Sequence, residues 1–395
     1  MEYEYEIIKD IIPINNINKE ITKGNIFNIP SLVTNFLNKD FHHEMIDIVD
    51  IGEEDDYSKF NDLEMIYLFI HEEKDQDEKK NRTADTKKEY AREILSFYKK
   101  MVEDGPMFDF DSAGHDIYSV LKNLRPRNLR KYQDWIKVVH LGKGGKPYSV
   151  ATIARKTVVL NSFLSFLYKK KYIHRQLHEA LKRANVRDSD RPNRDVSLVE
   201  AQQIIEHFSV HPILHCLFSV LITTGARVRE LCTSRVCDLS YDKGLYWLKV
   251  IGKGGKEREL LIYPNVMGTI IEFRKRRGLE TDLNPMDESP LFTTAKGKAY
   301  NFKYLSNYLT KALKKAEIPF IKYSKRRISA HNFRHAYSII SNELGADIYQ
   351  ISKSLGHADI RTTQIYLEKE QSRHNNASHA WKDSSIMQSI NKKTE

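Results

Sequence analysis

Cysteine is scarce in this sequence. The 395 residues include only Cys216, Cys232 and Cys237, and no two of them form a CxxC pair. A disulfide framework and a cysteine-rich zinc site need more cysteines in closer spacing, so both are excluded. We expect three free thiols in a protein of a reducing compartment.

Long apolar runs are also missing. No uncharged apolar stretch approaches the roughly 18 residues that a membrane span requires. The start, MEYEYEIIKD, is acidic and lacks the basic segment and apolar core of a secretory signal. These features predict a cytoplasmic protein without a membrane partner.

A nucleotide-binding P-loop is absent, although a similar pattern occurs twice. The pentapeptide GKGGK spans residues 142–146 and again residues 252–256. A P-loop needs GxxxxGK followed by Ser or Thr, between a strand and a helix. Pro follows the first copy and Glu follows the second, so neither copy supports ATP binding.

The charge of the chain is unevenly distributed. Residues 1–80 contain 8 Lys+Arg against 20 Asp+Glu, a net charge of −12, and the overall +10 leaves +22 for the rest of the chain. A strongly basic body suits a polyanionic partner, with nucleic acid as the first candidate. Phosphates would repel the acidic segment, so we expect it to contact protein or to act as an autoinhibitory cover.

Helix signals predict two folded regions around a polar linker. Thr83 or Asp85 can cap a helix through residue 103, and Ser149 can cap a helix that reaches Lys169. After the polar segment 187–197, Ser197 starts a further helix with Glu200 in a capping box. The run GLYWLKVIGKGGKERELLIYP predicts a β-hairpin around the second GKGGK.

Three later motifs contain residue types suited to phosphate chemistry. Arg227 follows a glycine turn in TGARVREL, and His331 and Arg334 are three residues apart in HNFRH. An imidazole and a guanidinium on one helix face would form a phosphate clamp. His357 and Tyr366 follow in LGHADIRTTQIY, and the longer segment DIYQISKSLGHADIRTTQIY resembles a helix-turn-helix reader. The neighbouring His335 is expected on a different face from His331.

Taken in order, TGARVREL, GKGGKER, HNFRH, LGH and TTQIY resemble the tyrosine recombinase, or phage integrase, family. The resemblance covers roughly residues 82–370 and implies a mainly α fold with a small antiparallel β-sheet. An all-helical core-binding domain would precede a mixed α+β catalytic domain. Residues 1–80 do not resemble the small basic arm-binding domain of many phage integrases.

The resemblance also implies the site residues. Arg227 and Arg334 match the catalytic arginines, Tyr366 matches the nucleophile, and Lys253 matches the hairpin lysine, with Lys256 as the alternative. His331 and His357 match the two histidine positions. Neither metal nor cofactor is implied. In the helical domain, the residues expected on DNA are Lys143, Lys146, Arg155 and Lys156.

The predicted organisation has five parts: an acidic extension (1–80), a helical DNA-binding domain (82–186), a linker (187–197), a catalytic domain (198–372) and a tail (373–395). The implied partner is double-stranded DNA at specific recombination sites, held in a clamp at the nucleoid. The implied assembly is a tetramer on DNA, with the tail docked on a neighbouring protomer and with accessory excision or DNA-bending factors.

The implied function is a site-specific recombinase, the integrase or transposase of a mobile element, which forms a 3′-phosphotyrosine intermediate. Two alternatives stay open at this point. A type IB topoisomerase or a telomere resolvase shares the same residues. A DNA-binding regulator would use the helix-turn-helix-like segment without cutting.

Overall fold

The computed structural model describes residues 28–38, 42–50, 57–111, 114–187, 190, 195–252, 255–323, 328–357, 359–361, 363–364, 377–382 and 384–391. The chain divides into two compact units, Met1–Arg191 and Pro192–Glu395. The division falls inside the predicted linker 187–197, and it does not separate residues 1–80 from 82–186. The five-part organisation stays a prediction.

In the described residues of unit 1, every regular element is a helix. Its helices are α1 (Ile29–Phe36), α2 (His42–Asp50), α3 (Asp62–His71), α4 (Ala84–Glu103), α5 (Val120–Asn123), α6 (Pro126–Val138) and α7 (Val150–Lys169). The predicted caps are confirmed where the structure shows them. Thr83 accepts a hydrogen bond from the Thr86 N–H, and Ser149 accepts one from the Thr152 N–H. Each bond satisfies a backbone donor that the first helical turn leaves unpaired.

Helix α3 belongs to the core of unit 1, although it lies within the acidic segment. All ten of its residues are buried, and its apolar side chains share one core with those of α4 and α7. Asp62 is fully buried, and its two side-chain oxygens accept hydrogen bonds from the Leu121 N–H (2.8 Å) and the Tyr172 hydroxyl (2.7 Å). The functional role expected for residues 1–80 stays a prediction.

Helix α7 is long and apolar enough to cross a membrane by length and composition. Part of the helix packs in the core of unit 1, with Phe163, Leu164 and Leu167 fully buried, whereas Val150 and Val158 are exposed. Arg155 and Lys156 lie in its second turn and form ion pairs with α4. A core helix of a folded unit accounts for all of these features.

Unit 2 combines helices with a small sheet. Its elements are α8 (Leu198–Phe208), α9 (Pro212–Thr224), α10 (Val228–Thr233), β1 (Leu239–Asp242), β2 (Leu245–Ile251), β3 (Glu257–Ile262), α11 (Pro264–Arg276), α12 (Phe302–Lys315), α13 (Pro319–Tyr323), α14 (Ala330–Glu343), α15 (Ile348–Leu355) and α16 (Ser385–Asn391). The capping box of Ser197 and Glu200 at the start of α8 is confirmed. Helix α9 is buried along almost its whole length and packs against α11 and α14.

The sheet is antiparallel, with the order β1-β2-β3. Strands β2 and β3 form the predicted hairpin, in register from Tyr246 opposite Ile262 to Ile251 opposite Glu257. The second GKGGK lies at the end of this register, where the two strands turn. The predicted fold class, mainly α with a small antiparallel sheet, is confirmed.

Candidate active site

The site is organised around the turn after α9. Gly225 ends this helix in the left-handed conformation, with φ at 61°. A Cβ at this position would lie 2.6 Å from Leu355 Cδ2 and 2.9 Å from Tyr337 Cγ. Glycine is therefore required both by the backbone angle and by the space. Because Gly225 has no side chain, the turn can contact α14 and the end of α15.

Arg334 ties this turn to a second turn. Its Nη1 donates to the Gly225 carbonyl at 2.8 Å, and its Nη2 donates to the Leu355 carbonyl. The residue is only 3% exposed. A buried guanidinium needs such acceptors, because an unpaired buried charge is costly. Arg334 thus joins the segments that carry Arg227 and His357.

Arg227 stands at the N-terminus of α10 and is held by Glu230. The Arg227 backbone N–H donates to Glu230 Oε2 at 2.7 Å, and its Nη1 donates to Oε1 at 3.0 Å. The Arg227 side chain keeps 34% of its surface exposed, whereas that of Glu230 keeps 2%. The guanidinium is therefore fixed on one side and open on the other.

His357 lies directly after the glycine that ends α15. Its Nδ1 is 2.8 Å from the Thr363 hydroxyl oxygen. Burial lowers the pKa of His357 to about 4, and the positive charges of Arg334, Arg227 and Arg258 contribute to the same shift. The imidazole is neutral at neutral pH and lies within the field of three arginines.

The turn of the hairpin reaches the same place. A Cβ built on Gly252 would lie 3.6 Å from Arg227 Nη1 and 3.5 Å from Glu230 Oε1. Lys253 is the next residue in the chain. Lys253 itself and Tyr366 lie outside the described residues, so their predicted roles stay predictions.

His331 lies in the first turn of α14 and is exposed, three residues before the buried Arg334. The expectation that His335 lies on a different face is wrong. The rings of His331 and His335 meet edge to face, with centroids 4.9 Å apart. Residues four apart are neighbours on a helix surface, so His335 packs beneath the exposed histidine.

The four cations expected on DNA divide into two pairs. Lys143 and Lys146 are exposed in the first GKGGK loop. Arg155 forms an ion pair with Glu89, and Lys156 forms one with Glu93. Only 16% of the Lys156 side chain is exposed. DNA contacts of all four residues stay predictions. Phosphate contacts of Arg155 and Lys156 would compete with their ion pairs to Glu89 and Glu93.

Three residues of the site were not foreseen: Glu230, Arg258 and Thr363. Arg258 donates to Glu230 through Nη1 at 2.6 Å and through Nη2 at 2.8 Å. The sequence contained one signal for Arg258. It lies two residues before Leu260 and four before Ile262, so the three side chains share the buried face of β3. A charged residue at such a position requires a buried partner of opposite charge. Among the described residues, no group of three or more His, Cys, Asp or Glu is placed to hold a metal ion.

Comparison with known proteins agrees with this geometry. Residues 196–373 match the model of the phage integrase family. This part of the chain belongs to the tyrosine recombinase (phage integrase) family. All of the motif residues, from Arg227 to Tyr366, fall inside the matched region.

Curated tyrosine recombinases align with both units. The tyrosine recombinase XerC of Caldanaerobacter subterraneus is 27% identical over 305 residues, which cover 74% of this chain and 80% of that protein. The tyrosine recombinase XerD of Rickettsia conorii is 26% identical over 277 residues, covering 66% of this chain and 84% of that protein.

Solved structures of tyrosine recombinases share the fold. The XerH site-specific recombinase bound to a palindromic difH substrate has a TM-score of 0.55 at 19% identity, covering 74% of this chain and 78% of that chain. A lambda integrase dimer bound to a COC′ core site has a TM-score of 0.53 at 15% identity, covering 72% of each chain. The Tn1549 transposon integrase with circular intermediate DNA has a TM-score of 0.53 at 15% identity, covering 78% of this chain and 95% of that chain.

Proposed function

We propose that the protein is a site-specific DNA recombinase that cuts and rejoins strands through a 3′-phosphotyrosine intermediate, with Tyr366 as nucleophile. The observation that carries the proposal is the convergence of Arg227, Arg334 and His357 around the turns at Gly225 and Gly356. The position of Gly252 beside Arg227 supports the proposal as well, because Lys253 is the next residue in the chain. Family membership and the DNA-bound structural neighbours agree with this function.

In the proposed reaction, the Tyr366 oxygen attacks a DNA phosphorus atom and forms a new P–O bond. The bond to the 5′ oxygen breaks, and Lys253 gives that oxygen a proton. The phenol proton leaves through His331. A phenol with a pKa near 10 is a weak nucleophile at pH 7, so this proton transfer and charge stabilisation are both needed. The reverse attack by a 5′ hydroxyl rejoins the strand.

The arginines would stabilise the transition state. Negative charge grows on the non-bridging phosphate oxygens, and preorganised donors aimed at such charge contribute several kcal/mol in typical sites. Arg227 has an exposed side for this purpose, and neutral His357 can donate one N–H. The covalent bond would conserve the energy of the broken linkage, so rejoining would need no ATP.

Binding is proposed to involve double-stranded DNA and several copies of this chain. The charge of +22 outside residues 1–80 would give affinity for phosphates and a steep salt dependence. The tail would dock on a neighbouring protomer, because Trp381, Ile386, Met387 and Ile390 are exposed in this chain. Integration or excision of a mobile element is the proposed role, with accessory DNA-bending factors as further partners.

The test is capture of a covalent protein–DNA adduct from fragmented genomic DNA of the source organism. Detergent–potassium precipitation followed by sequencing would identify the cleaved site whatever its base sequence. Tyr366→Phe should abolish the adduct, and Tyr349→Phe serves as a control because Tyr349 is 67% exposed on α15. Tight, site-specific binding without any adduct would support a non-cleaving regulator instead.

A second candidate is a Xer-type recombinase that acts on a palindromic site. It is favoured because the curated relatives named above are Xer recombinases, and the XerH neighbour is bound to a palindromic substrate. The sequenced cleavage sites separate the candidates. Sites at the ends of an insertion support the mobile element, whereas one palindromic site supports the Xer-type role. Relaxation of supercoiled DNA without strand exchange would support a topoisomerase.

A further inference from the structure

Arg258 is a buried cation on the inner face of the sheet. It lies in β3 directly opposite Val250, and only 10% of its side chain is exposed. An arginine rarely occupies such a position, since burial of an unpaired guanidinium costs several kcal/mol. The structure must therefore supply a partner, and the identity of this partner indicates a role.

The partner is Glu230, which is itself almost fully buried. Two parallel hydrogen bonds of 2.6 and 2.8 Å join the guanidinium of Arg258 to the two carboxylate oxygens. Burial by itself raises the pKa of Glu230. The hydrogen bonds and charge of Arg258, together with the hydrogen bond from the Arg227 backbone N–H, lower this pKa by more, so the pKa of Glu230 lies below its ordinary value. Glu230 is a carboxylate in the folded protein.

The same carboxylate also holds Arg227. Oε2 accepts from the Arg227 backbone N–H, and Oε1 accepts from the Arg227 Nη1 at 3.0 Å. Glu230 is thus a bridge, with Arg258 on the buried side and Arg227 on the exposed side. Each oxygen of this carboxylate therefore accepts one hydrogen bond from Arg258 and one from Arg227.

Arg258 also contacts the turn that carries His357. A Cβ at Gly356 would lie 3.1 Å from Arg258 Cδ, so the aliphatic part of the arginine packs directly against this glycine. Gly356 has φ at 65°, which also favours glycine. Arg258 therefore touches the supports of both Arg227 and His357.

We propose that Arg258 is a positioning residue, which fixes Arg227 through Glu230 for contact with the cleaved phosphate. This inference rests on the proposed function and assigns a role that none of the sequence motifs suggested. Arg258 does not need to touch DNA for it. Lysine cannot replace arginine here, since a single ammonium cannot form the two parallel bonds to one carboxylate.

The experiment is a double-mutant cycle on the cleavage rate. Single-turnover cleavage of the mapped site is measured for wild type, Arg258→Met, Glu230→Gln and the double variant, together with DNA affinity and thermal unfolding. We expect each single variant to cleave about 100-fold more slowly, the loss typical of a misplaced reacting group. The double variant should lose no more than Glu230→Gln alone, because both changes disable one bridge.

Two further variants control for folding and for charge. Arg258→Lys keeps the positive charge in the core and should still cleave about 10-fold more slowly than wild type, or worse, because it loses the parallel bonds. Lys249→Met removes an exposed cation from the same sheet, where Lys249 pairs with Glu257 at the surface. Its cleavage rate should stay within about 2-fold of wild type.

Three results would overturn the proposal. One is wild-type cleavage by Arg258→Lys. Another is a double variant whose losses multiply, which would mean that Arg258 acts on DNA or substrate by itself. The last is recovery of both thermal stability and cleavage in the double variant, which would show that Arg258 only neutralises Glu230 in the fold.

A readout without DNA separates this proposal from the proposed function. Guanidinium NMR signals of Arg227, assigned with Arg227→Lys, report whether its Nη groups are held. We expect a restrained signal in wild type and a freely rotating one in Arg258→Lys and in Glu230→Gln. If wild type forms no adduct but shows this dependence, cleavage is refuted and positioning stands. An Arg227 signal unaffected by Arg258→Lys refutes positioning.

Discussion

The buried carboxyl of Asp62 should make the stability of unit 1 depend on pH. Burial raises the pKa of Asp62 from 3.8 to about 7. Hydrogen bonds from the Leu121 N–H, the Tyr172 hydroxyl and the Tyr98 hydroxyl act in the opposite direction, as does the positive charge of Lys122, but burial has the larger effect. The folded state therefore holds a proton that the unfolded state releases above pH 3.8. Its contribution to stability is complete below pH 3.8 and is lost as the pH rises to about 7.

The size of the effect follows from these values. The difference between 3.8 and about 7, at roughly 1.4 kcal/mol per pH unit, corresponds to about 4 kcal/mol over the full range. Between pH 5 and pH 8.5 the expected part is about 3 kcal/mol. Asp62→Asn stays neutral, so it should lose this dependence. At pH 5 the amide should cost about 1 kcal/mol, because one hydrogen bond fits less well.

The assay is urea unfolding between pH 5 and pH 8.5, followed by the fluorescence of Trp135. This tryptophan packs against Phe108 and Tyr132 in unit 1, and Trp247→Phe with Trp381→Phe removes the other two indoles. We expect the unfolding free energy of Asp62→Asn, relative to wild type, to rise by about 3 kcal/mol over this range.

The control is Asp134→Asn in α6. Asp134 is exposed, and its hydrogen bond with Lys137 lowers its pKa, so it does not titrate in this window. The Asp134→Asn difference curve should be flat. A flat or falling curve for Asp62→Asn would refute the reasoning, since it would mean that the buried carboxyl is already ionised at pH 5.

Two further predictions concern the proposed recombination. Lys253→Ala should abolish or greatly slow strand cleavage in the adduct assay, whereas Lys143→Ala, in the other GKGGK, should only weaken DNA binding in a gel shift. Equal cleavage losses in both variants would contradict the assignment of the two loops. Deletion of residues 376–395 should weaken assembly on DNA and recombination while binding to a single site survives, as light scattering and gel shifts would show. An unchanged yield of the assembled complex would contradict tail docking.

Much of the fold was available from local sequence. The caps at Thr83, Ser149 and Ser197 and the hairpin were predicted correctly, because each signal involves residues only a few positions apart. The predicted face of His335 was wrong for a local reason. Residues four apart are neighbours on a helix surface, and His335 lies four residues after His331.

The site was predictable only in part. Arg227, Arg334 and His357 could be identified from ordered motifs, and the structure brings them together. The pairing of Glu230 with Arg258 joins positions 28 apart on a helix and a strand, and nothing in either segment specifies the other. Such a partner is chosen by packing, since a buried charge must find whatever opposite charge the fold brings near.

The two copies of GKGGK show the division between local and tertiary information most clearly. Both loops close in the same way, with the N–H of Gly142 donating to the Lys146 carbonyl and that of Gly252 donating to the Lys256 carbonyl, each at 2.7 Å. The identical pentapeptides thus share the same closing hydrogen bond, because this bond joins residues only four positions apart. The surroundings differ. The atoms nearest to a Cβ at Gly142 belong to Lys146 and Pro147 of its own segment, whereas a Cβ at Gly252 would lie beside Glu230 and Arg227 of another element.

The sequence by itself determined the helices, the hairpin, the charge asymmetry and the order of motifs that indicates the family. Only the tertiary structure decided that Glu230 connects Arg258 to Arg227, and that Asp62 is enclosed by side chains from distant positions. The physical reason is the range of the interactions. Backbone caps and turns are satisfied within a few residues, whereas a buried charge is satisfied by groups that only the folded chain brings together.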